Sequence, residues 1–122
     1  MILVDTSVWV DHLRSTDIEL AARLDAGQVV AHAFVIGEIA LGQLRQRATV
    51  LDALRGLPPS AVATDAEVLQ FVELHGLFGR GIGYIDAHLL AAARLTPGTT
   101  LWTRDTRLRR AADALKLSYA AA

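Results

Sequence analysis

Five short apolar runs along the chain end at polar or turn-forming residues, which is the pattern of buried strands. In the first of them, Ile2, Leu3 and Val4 are followed directly by Asp5. Each run is too short for a helix and is bounded by residues that favour turns. The pattern predicts strands at residues 2–4, 29–31, 61–63, 99–102 and 117–119.

Longer segments between these runs space their apolar residues three or four positions apart, which is helical periodicity. Val35, Ile39 and Leu44 form one such stripe. The predicted helices span residues 8–13, 18–26 after Asp17 as its cap, 34–47, 50–54, 66–75 and 85–95, with a last helix after Asp105 that ends at Leu115. Strands that alternate with helices pair in parallel. The fold is therefore predicted to be an α/β three-layer sandwich, a central parallel sheet with helices on both faces.

Composition limits the class of protein further. The chain has 122 residues, of which 52% are hydrophobic and 20% charged, so we expect one folded domain over residues 1–122 and exclude intrinsic disorder. The absence of cysteine excludes a disulfide framework, a thiolate zinc site and a cysteine nucleophile. A net charge of −1 gives no overall positive field for nucleic acid, so any such binding must be local.

Membrane insertion and secretion are not expected. The longest stretch without a charged residue, 26–37, is well short of the roughly 20 residues that cross a bilayer. The residues after Met1 lack the basic region and cleavage site of a secretory signal. We therefore expect a cytoplasmic location.

Four acidic residues occupy positions where an α/β sheet places its ligands. Asp5 follows the first strand, and Asp105 comes shortly after the strand at 99–102. Asp86 lies in the first turn of its predicted helix, and Glu38 is flanked by apolar residues in another helix. Because ligands bind beyond the carboxyl ends of parallel strands, we expect the four carboxylates to converge there.

Carboxylates that converge require a cation, because two of them about 4 Å apart repel by roughly 4 kcal/mol at an effective dielectric constant of 20. Oxygen ligands without cysteine or a histidine pair favour Mg²⁺ or Mn²⁺. Such ions polarise a phosphoryl group and activate water, which is the chemistry of phosphodiester hydrolysis. Nearby hydroxyls are candidates to support the ligands and nearby arginines to bind phosphates; these residues are Thr6, Ser7, Thr103, Arg104 and Arg107.

Each candidate also has a purely structural interpretation. Asp5 and Asp105 are placed to cap the helices that follow them, and Asp86 is placed to complement a helix dipole. Glu38 and the arginines of the last helix can belong to solvated helix faces. The four histidines lack metal-ligand spacing and are expected to be structural or exposed. What favours chemistry is the coincidence of four acids at one predicted edge.

The acids lie in four sequence blocks, which are ILVDTSVW from residue 2, EIALG from residue 38, IDAHLLAA from residue 85 and LWTRD from residue 101. In order and spacing these blocks resemble the acidic motifs of the PIN-domain ribonucleases. Within that family they are similar to the VapC toxins of bacterial and archaeal VapBC toxin–antitoxin pairs. The resemblance extends over nearly the whole chain.

The resemblance implies a PIN fold and a Mg²⁺- or Mn²⁺-dependent endoribonuclease that blocks translation by cutting structured RNA such as tRNA or ribosomal RNA. It also implies a homodimer, and a VapB-type antitoxin whose C-terminal segment covers the acidic site in a toxin–antitoxin complex. The family's metal-binding acids are matched by Asp5, Glu38, Asp86 and Asp105, and its flanking hydroxyls by Thr6 and Thr103.

One position departs from the family pattern. Many PIN nucleases carry an acid or an asparagine two residues after the aspartate matched by Asp105, where this chain has Arg107. A second metal ion is therefore in doubt, and one ion is left to carry catalysis. An alternative function is a PIN-like module that binds RNA or a partner without cutting. An aspartyl-phosphate enzyme with Asp5 as nucleophile is disfavoured, because Ser7 stands where haloacid-dehalogenase phosphatases need a second aspartate.

Overall fold

Three short parallel strands form the sheet, and the first strand of the chain lies in the middle. The computed structural model describes residues 1–122. Leu3 pairs with Val30 on one side and with Leu101 on the other. The carboxyl ends of the strands therefore meet at one edge, with Asp5 at its centre. The strands are β1 (Ile2–Val4), β2 (Val29–Val30) and β3 (Thr100–Trp102), in the order β2-β1-β3.

Helices flank this sheet, which confirms the predicted α/β architecture. They are α1 (Thr6–Arg14), α2 (Ile18–Asp25), α3 (Ala33–Ala40), α4 (Arg47–Arg55), α5 (Asp65–His75), α6 (Tyr84–Leu95) and α7 (Thr106–Ala114). Residues 87–93 of α6 are all buried, so this helix is enclosed on every side. None of the helices combines the length and hydropathy needed to cross a membrane.

The hydrophobic core fixes the central strand. Leu3, Leu89 and Leu101 are fully buried in one cluster, and the small side chain of Ala92 belongs to the same cluster. Full burial of a leucine side chain contributes about 1.5–3 kcal/mol of stability. Because β1 is buried along its whole length, the position of Asp5 at its end is fixed by the core.

The predicted strand at 61–63 is wrong. The chain makes only an isolated parallel bridge there, between Ala31 and Pro59. Ala31 donates its N–H to Pro58, and Ser60 donates its N–H back to Ala31. The ladder ends there because the paired chain enters α3 at Ala33, and the next amide after Ser60, that of Ala61, donates to the hydroxyl of Thr96.

Two helix boundaries also differ from the prediction. The helix predicted over 34–47 ends at Ala40, and the next helix begins at Arg47 rather than at residue 50. Gly42 interrupts the apolar stripe, and Gln46 adopts a left-handed backbone conformation with φ of 52° that no helix continues through. The predicted strand at 117–119 is present only as a single parallel bridge between Leu101 and Ser118.

Two buried histidines connect the beginnings of α3 and α6. His32 and His88 are 0% and 1% exposed, and the ring of Phe34 contacts both, with centroids 5.0 and 4.8 Å away. The Nδ1 atom of His32 accepts the N–H of Phe34 at 2.9 Å and so caps α3. Burial, together with the proximity of His88, lowers the pKa of His32 to about 4. His32 is therefore neutral at physiological pH.

The buried neutral His32 makes stability depend on pH. Its pKa is about 4 in the folded chain and about 6.5 in an unfolded chain. The unfolded state therefore binds the proton first, and the free energy of unfolding should fall by about 2 to 3 kcal/mol between pH 7 and pH 4.5 through this group. His32→Asn keeps a capping acceptor without a titrating ring, so urea denaturation should show a shallower pH dependence for this variant. His75→Asn, at a partly exposed position, is the control and should keep the wild-type dependence; equal slopes for all three proteins would contradict the assignment.

Candidate active site

Two hydroxyl groups hold Asp5 at the carboxyl end of β1. Ser7 Oγ and Thr103 Oγ1 each donate a hydrogen bond to Asp5 Oδ2 at 2.8 Å. Asp5 is 7% exposed, and its side chain makes no capping bond to α1. The structure therefore excludes the capping interpretation at Asp5, and it leaves Oδ1 without a hydrogen bond from the protein.

The same two hydroxyls fix the segment that follows β3. Ser7 Oγ accepts the backbone N–H of Arg104 at 3.0 Å, and Thr103 Oγ1 accepts the backbone N–H of Asp105 at 3.0 Å. Each hydroxyl thus connects the carboxylate of Asp5 to the backbone of the turn between β3 and α7. Ser7 and Thr103 are in contact with Asp5, as expected for supporting residues.

Asp105 and Asp86 lie at the N-termini of α7 and α6, and each one caps its helix. Asp105 Oδ1 accepts the N–H of Leu108 at 2.9 Å, and Asp86 Oδ2 accepts the N–H of Gly83 at 3.1 Å. Asp105 therefore has the capping role of its structural interpretation, and Asp86 makes the reciprocal bond to the N-cap residue Gly83 at the start of α6. The second oxygen of each carboxylate accepts no hydrogen bond from the protein, so capping leaves one oxygen of each free for a ligand.

The three aspartates repel one another. Burial raises the pKa of Asp86 above its ordinary value, and the negative charges of Asp5 and Asp105 raise it further, against the hydrogen bond from Gly83. No lysine, arginine or histidine forms an ion pair with any of the candidate acids. The acidic edge therefore carries negative charge that no basic side chain of the chain compensates.

Glu38 is at the border of this group. It is exposed on α3, and its Oε1 accepts a hydrogen bond at 3.1 Å from Thr6, the residue after Asp5. Its charge is not among those that raise the pKa of Asp86. The structure thus brings three of the four predicted acids into electrostatic contact and connects the fourth through Thr6. No three acidic or histidine side chains are arranged to surround one ion as they stand.

The two candidate arginines differ in their surroundings. Arg104 was expected to bind phosphates, but its guanidinium pairs with Asp11 and with Asp17, the latter at 2.6 Å. Arg107 forms no ion pair and packs against Gly81, where an added Cβ would be 2.9 Å from its Cδ. Gly81 has a φ of +75°, so a side chain there would also strain the backbone.

Sequence reasoning missed the two partners of Arg104. Asp17 was recognised only as a helix cap, which it also is, since it accepts the N–H of Leu20 at 2.9 Å. Asp11 was not singled out. A signal was present, because Asp11 lies four residues after Ser7 on α1 and therefore on the same helix face.

Aspartates without basic partners at the carboxyl edge of a parallel sheet are suited to a divalent cation, which is the chemistry that metal-dependent nucleases use. The family model described as PIN domain matches residues 2–114. Ribonuclease VapC32 of Mycobacterium tuberculosis, in strains H37Rv and CDC 1551, is 49% identical over 111 residues, which cover 91% of this chain and 90% of the relative. The chain belongs to the PIN-domain family and is a nuclease of the VapC type.

Solved structures agree with this assignment. The crystal structure of FitAcB from Neisseria gonorrhoeae matches with a TM-score of 0.63 and 27% identity, covering 93% of this chain and 94% of that one. FitAB bound to an IR36 DNA fragment matches with a TM-score of 0.63 and 25% identity, covering 93% and 91%. PIN-domain nucleases of the VapC type generally depend on a divalent metal ion.

Neutralising Asp86 should not destabilise the metal-free protein. A group whose pKa is raised in the folded state disfavours folding once it ionises, above its ordinary value of 3.8. Asp86→Asn should therefore melt at the same temperature as the wild type or higher, in chelator at pH 7, because asparagine can still accept from Gly83. Glu67→Gln is the control, and it should melt at a lower temperature than the wild type. Hydrogen bonds from Thr64 lower the pKa of Glu67, so the charged form of this side chain is favoured in the folded chain. A melting temperature lowered by many degrees in Asp86→Asn would contradict the repulsion.

Proposed function

We propose that the chain is the toxin component of a type II toxin–antitoxin pair, an endoribonuclease that cuts structured RNA such as tRNA or ribosomal RNA and so stops translation. Its 49% identity to a ribonuclease over 91% of the chain supports the reaction. The class of RNA follows from the family resemblance. A toxin that acts on translation works in the cytoplasm.

The observation that carries this proposal is the set of free carboxylate oxygens around Asp5. Asp5, Asp86 and Asp105 each keep one oxygen that no protein group occupies, and their charges act on one another. Helix capping accounts for one oxygen of Asp86 and one of Asp105, but it does not require their charges to lie beside that of Asp5 without a basic partner. These three are neither paired nor scattered, and this supports a site that binds a cation.

The residues fit a hard divalent cation. Mg²⁺ or Mn²⁺ would be held by Asp5, Asp86 and Asp105, with Glu38 at the border, and an all-oxygen donor set favours these ions over zinc. When bound, such an ion polarises the scissile phosphate and lowers the pKa of a water molecule. The donor set fits because its members repel one another and have no basic partner.

The chain's own groups orient the phosphate and the carboxylates. Helices α1, α6 and α7 begin beside Asp5, Asp86 and Asp105, so their N-terminal partial positive charges face the acidic edge and favour a bound phosphate. The hydroxyl groups of Ser7 and Thr103 hold the Asp5 carboxylate in one orientation. Fixed geometry of this kind lowers the barrier, because reacting groups need not be ordered at the moment of reaction.

A VapB-type antitoxin and a second copy of the chain are the proposed protein partners. A cavity of about 630 Å³ between α1, α3 and α4 is lined by Glu38 and by the apolar residues Val10, Leu13, Leu44 and Val50. The α5–α6 side carries a second apolar cleft, which is lined by Phe71, Leu74, Ala91 and Leu95. Apolar patches of this kind mark interaction sites. Two separate patches suit a toxin that forms a homodimer and also binds an antitoxin.

Cleavage of total RNA by the purified chain tests the proposed reaction. RNA should be cut with Mg²⁺ or Mn²⁺ and stay intact with chelator. Asp86→Asn should lower the rate by about a hundredfold or more, because a bound ion stabilises the transition state by several kcal/mol. Glu67→Gln, in the capping box of α5, is the control and should cut normally. RNA binding without cleavage under every metal condition would support the PIN-like binding module instead.

Arg107 is the proposed phosphate contact. Its guanidinium has no ion-pair partner, and it lies in the first turn of α7, two residues after Asp105. In an Asp86→Asn background, Arg107→Ala should weaken RNA binding and reduce the slope of log affinity against log salt by about one. Arg55→Ala is the control, since Arg55 already pairs with Asp52 on α4. A salt slope equal to that of the parent would remove Arg107 from the RNA surface.

A further inference from the structure

Arg104 joins three elements around the acidic edge. It lies in the turn between β3 and α7, and its guanidinium donates to Asp11 on α1 and to Asp17 at the start of α2. Its backbone N–H donates to Ser7 Oγ at 3.0 Å. One residue therefore ties the β3–α7 turn to two helices through both its side chain and its backbone.

The charge of Arg104 is not available to a phosphate. Hydrogen bonds to Asp11 and Asp17 raise the pKa of Arg104 above its ordinary value. Two carboxylates around one guanidinium leave a net negative charge on the cluster, and the arginine side chain is 38% exposed. A second anion would have to compete with both of these partners. Arg107, in contrast, has none.

We propose that Arg104 is a positioning residue for the cleavage reaction, one that holds its neighbours Thr103 and Asp105 in place relative to Asp5. Thr103 donates to Asp5, and Asp105 carries one of the free oxygens of the acidic edge. A displacement of about 1 Å in such a site costs about a hundredfold in rate. The inference rests on the proposed function for the identity of the reaction and on the contacts of Arg104 for the role itself.

A merely structural ion pair would behave differently. Exposed ion pairs contribute little to stability, and a structural role would appear in the melting temperature alone. A positioning role appears in the turnover number and in the metal affinity. A phosphate-binding role would appear in KM and in the salt dependence of RNA binding. These three readouts separate the roles.

Two variants weaken the attachment of the β3–α7 turn, one by changing Arg104 and the other by changing its two partners. Arg104→Lys keeps the positive charge, but an ammonium group lacks the planar fork that bridges two carboxylates. The double variant Asp11→Asn with Asp17→Asn keeps Arg104 and frees its charge, and asparagine at 17 retains the α2 cap. Arg55→Lys, at the exposed pair with Asp52, is the matched control.

We expect both variants to lower kcat by about tenfold, with KM for RNA and the salt slope within about twofold of the wild type. Both should also weaken Mn²⁺ binding in calorimetry without RNA and speed hydrogen exchange at the Asp105 amide. The control should change none of these. The double variant is decisive, because a phosphate-binding Arg104 freed of its two partners would bind RNA more tightly and keep its turnover.

The two proposals fail in different ways. If both variants keep the kcat, the Mn²⁺ affinity and the Asp105 exchange rate of the wild type, the positioning role is overturned, even when the wild type cuts RNA. Absence of RNA cleavage by the wild type would overturn the proposed function, and the exchange and Mn²⁺ measurements would still decide the role of Arg104. A higher KM for RNA with unchanged kcat in Arg104→Lys would also overturn the positioning role, because it would show that Arg104 contacts a phosphate.

Discussion

The structure depends on one buried carboxylate and the hydroxyls that satisfy it. Asp5 ends the central strand at the edge of the core, where a carboxylate without partners costs several kcal/mol. Ser7 supplies one hydrogen bond from the adjacent helix, and Thr103 supplies the other from 98 positions away. Both hydroxyls also accept backbone N–H groups of the β3–α7 turn. The groups that stabilise the buried carboxylate of Asp5 therefore also hold that turn beside the end of β1. Fold and acidic edge therefore rest on the same interaction.

The capping and chemical roles of the other two aspartates are compatible, because a carboxylate has two oxygens. Asp86 and Asp105 each use one oxygen to cap a helix, and this bond restricts the rotation of the side chain. The free oxygen is then oriented by the helix that the residue caps. A rigid element thus presents each free oxygen, which is the preorganisation that the proposed metal site requires. Sequence reasoning treated the cap and the ligand as alternatives, but one carboxylate has an oxygen for each role.

Sequence reasoning succeeded where a local pattern determines the outcome. The apolar run before Asp5 predicts the central strand, and the acids placed after strands and at helix starts predict three residues that meet. It failed at residues 61–63, because the neighbouring chain enters α3 at Ala33 and leaves no strand to pair with, and at the end of α3, where an apolar stripe continues past a glycine into a turn. The spacing of Asp11 from Ser7 places both on one face of α1, but the pairing of Arg104 with Asp11 and Asp17 also depends on how two helices pack beside the β3–α7 turn, which no local pattern determines.

The distribution of charge constrains how a polyanion can approach this edge. The three aspartates repel a phosphate, and Arg104 offers no compensation because Asp11 and Asp17 neutralise it. The attraction left for a phosphate comes from the helix N-termini and from arginines of α7 without ion-pair partners, such as Arg107. A divalent cation held at the edge would offset most of the negative charge of the three aspartates, so for an RNA substrate it would raise the affinity. By thermodynamic linkage the RNA then raises the affinity for the cation by the same factor. A net charge of −1 is therefore compatible with the proposed binding of RNA at a site that is itself acidic.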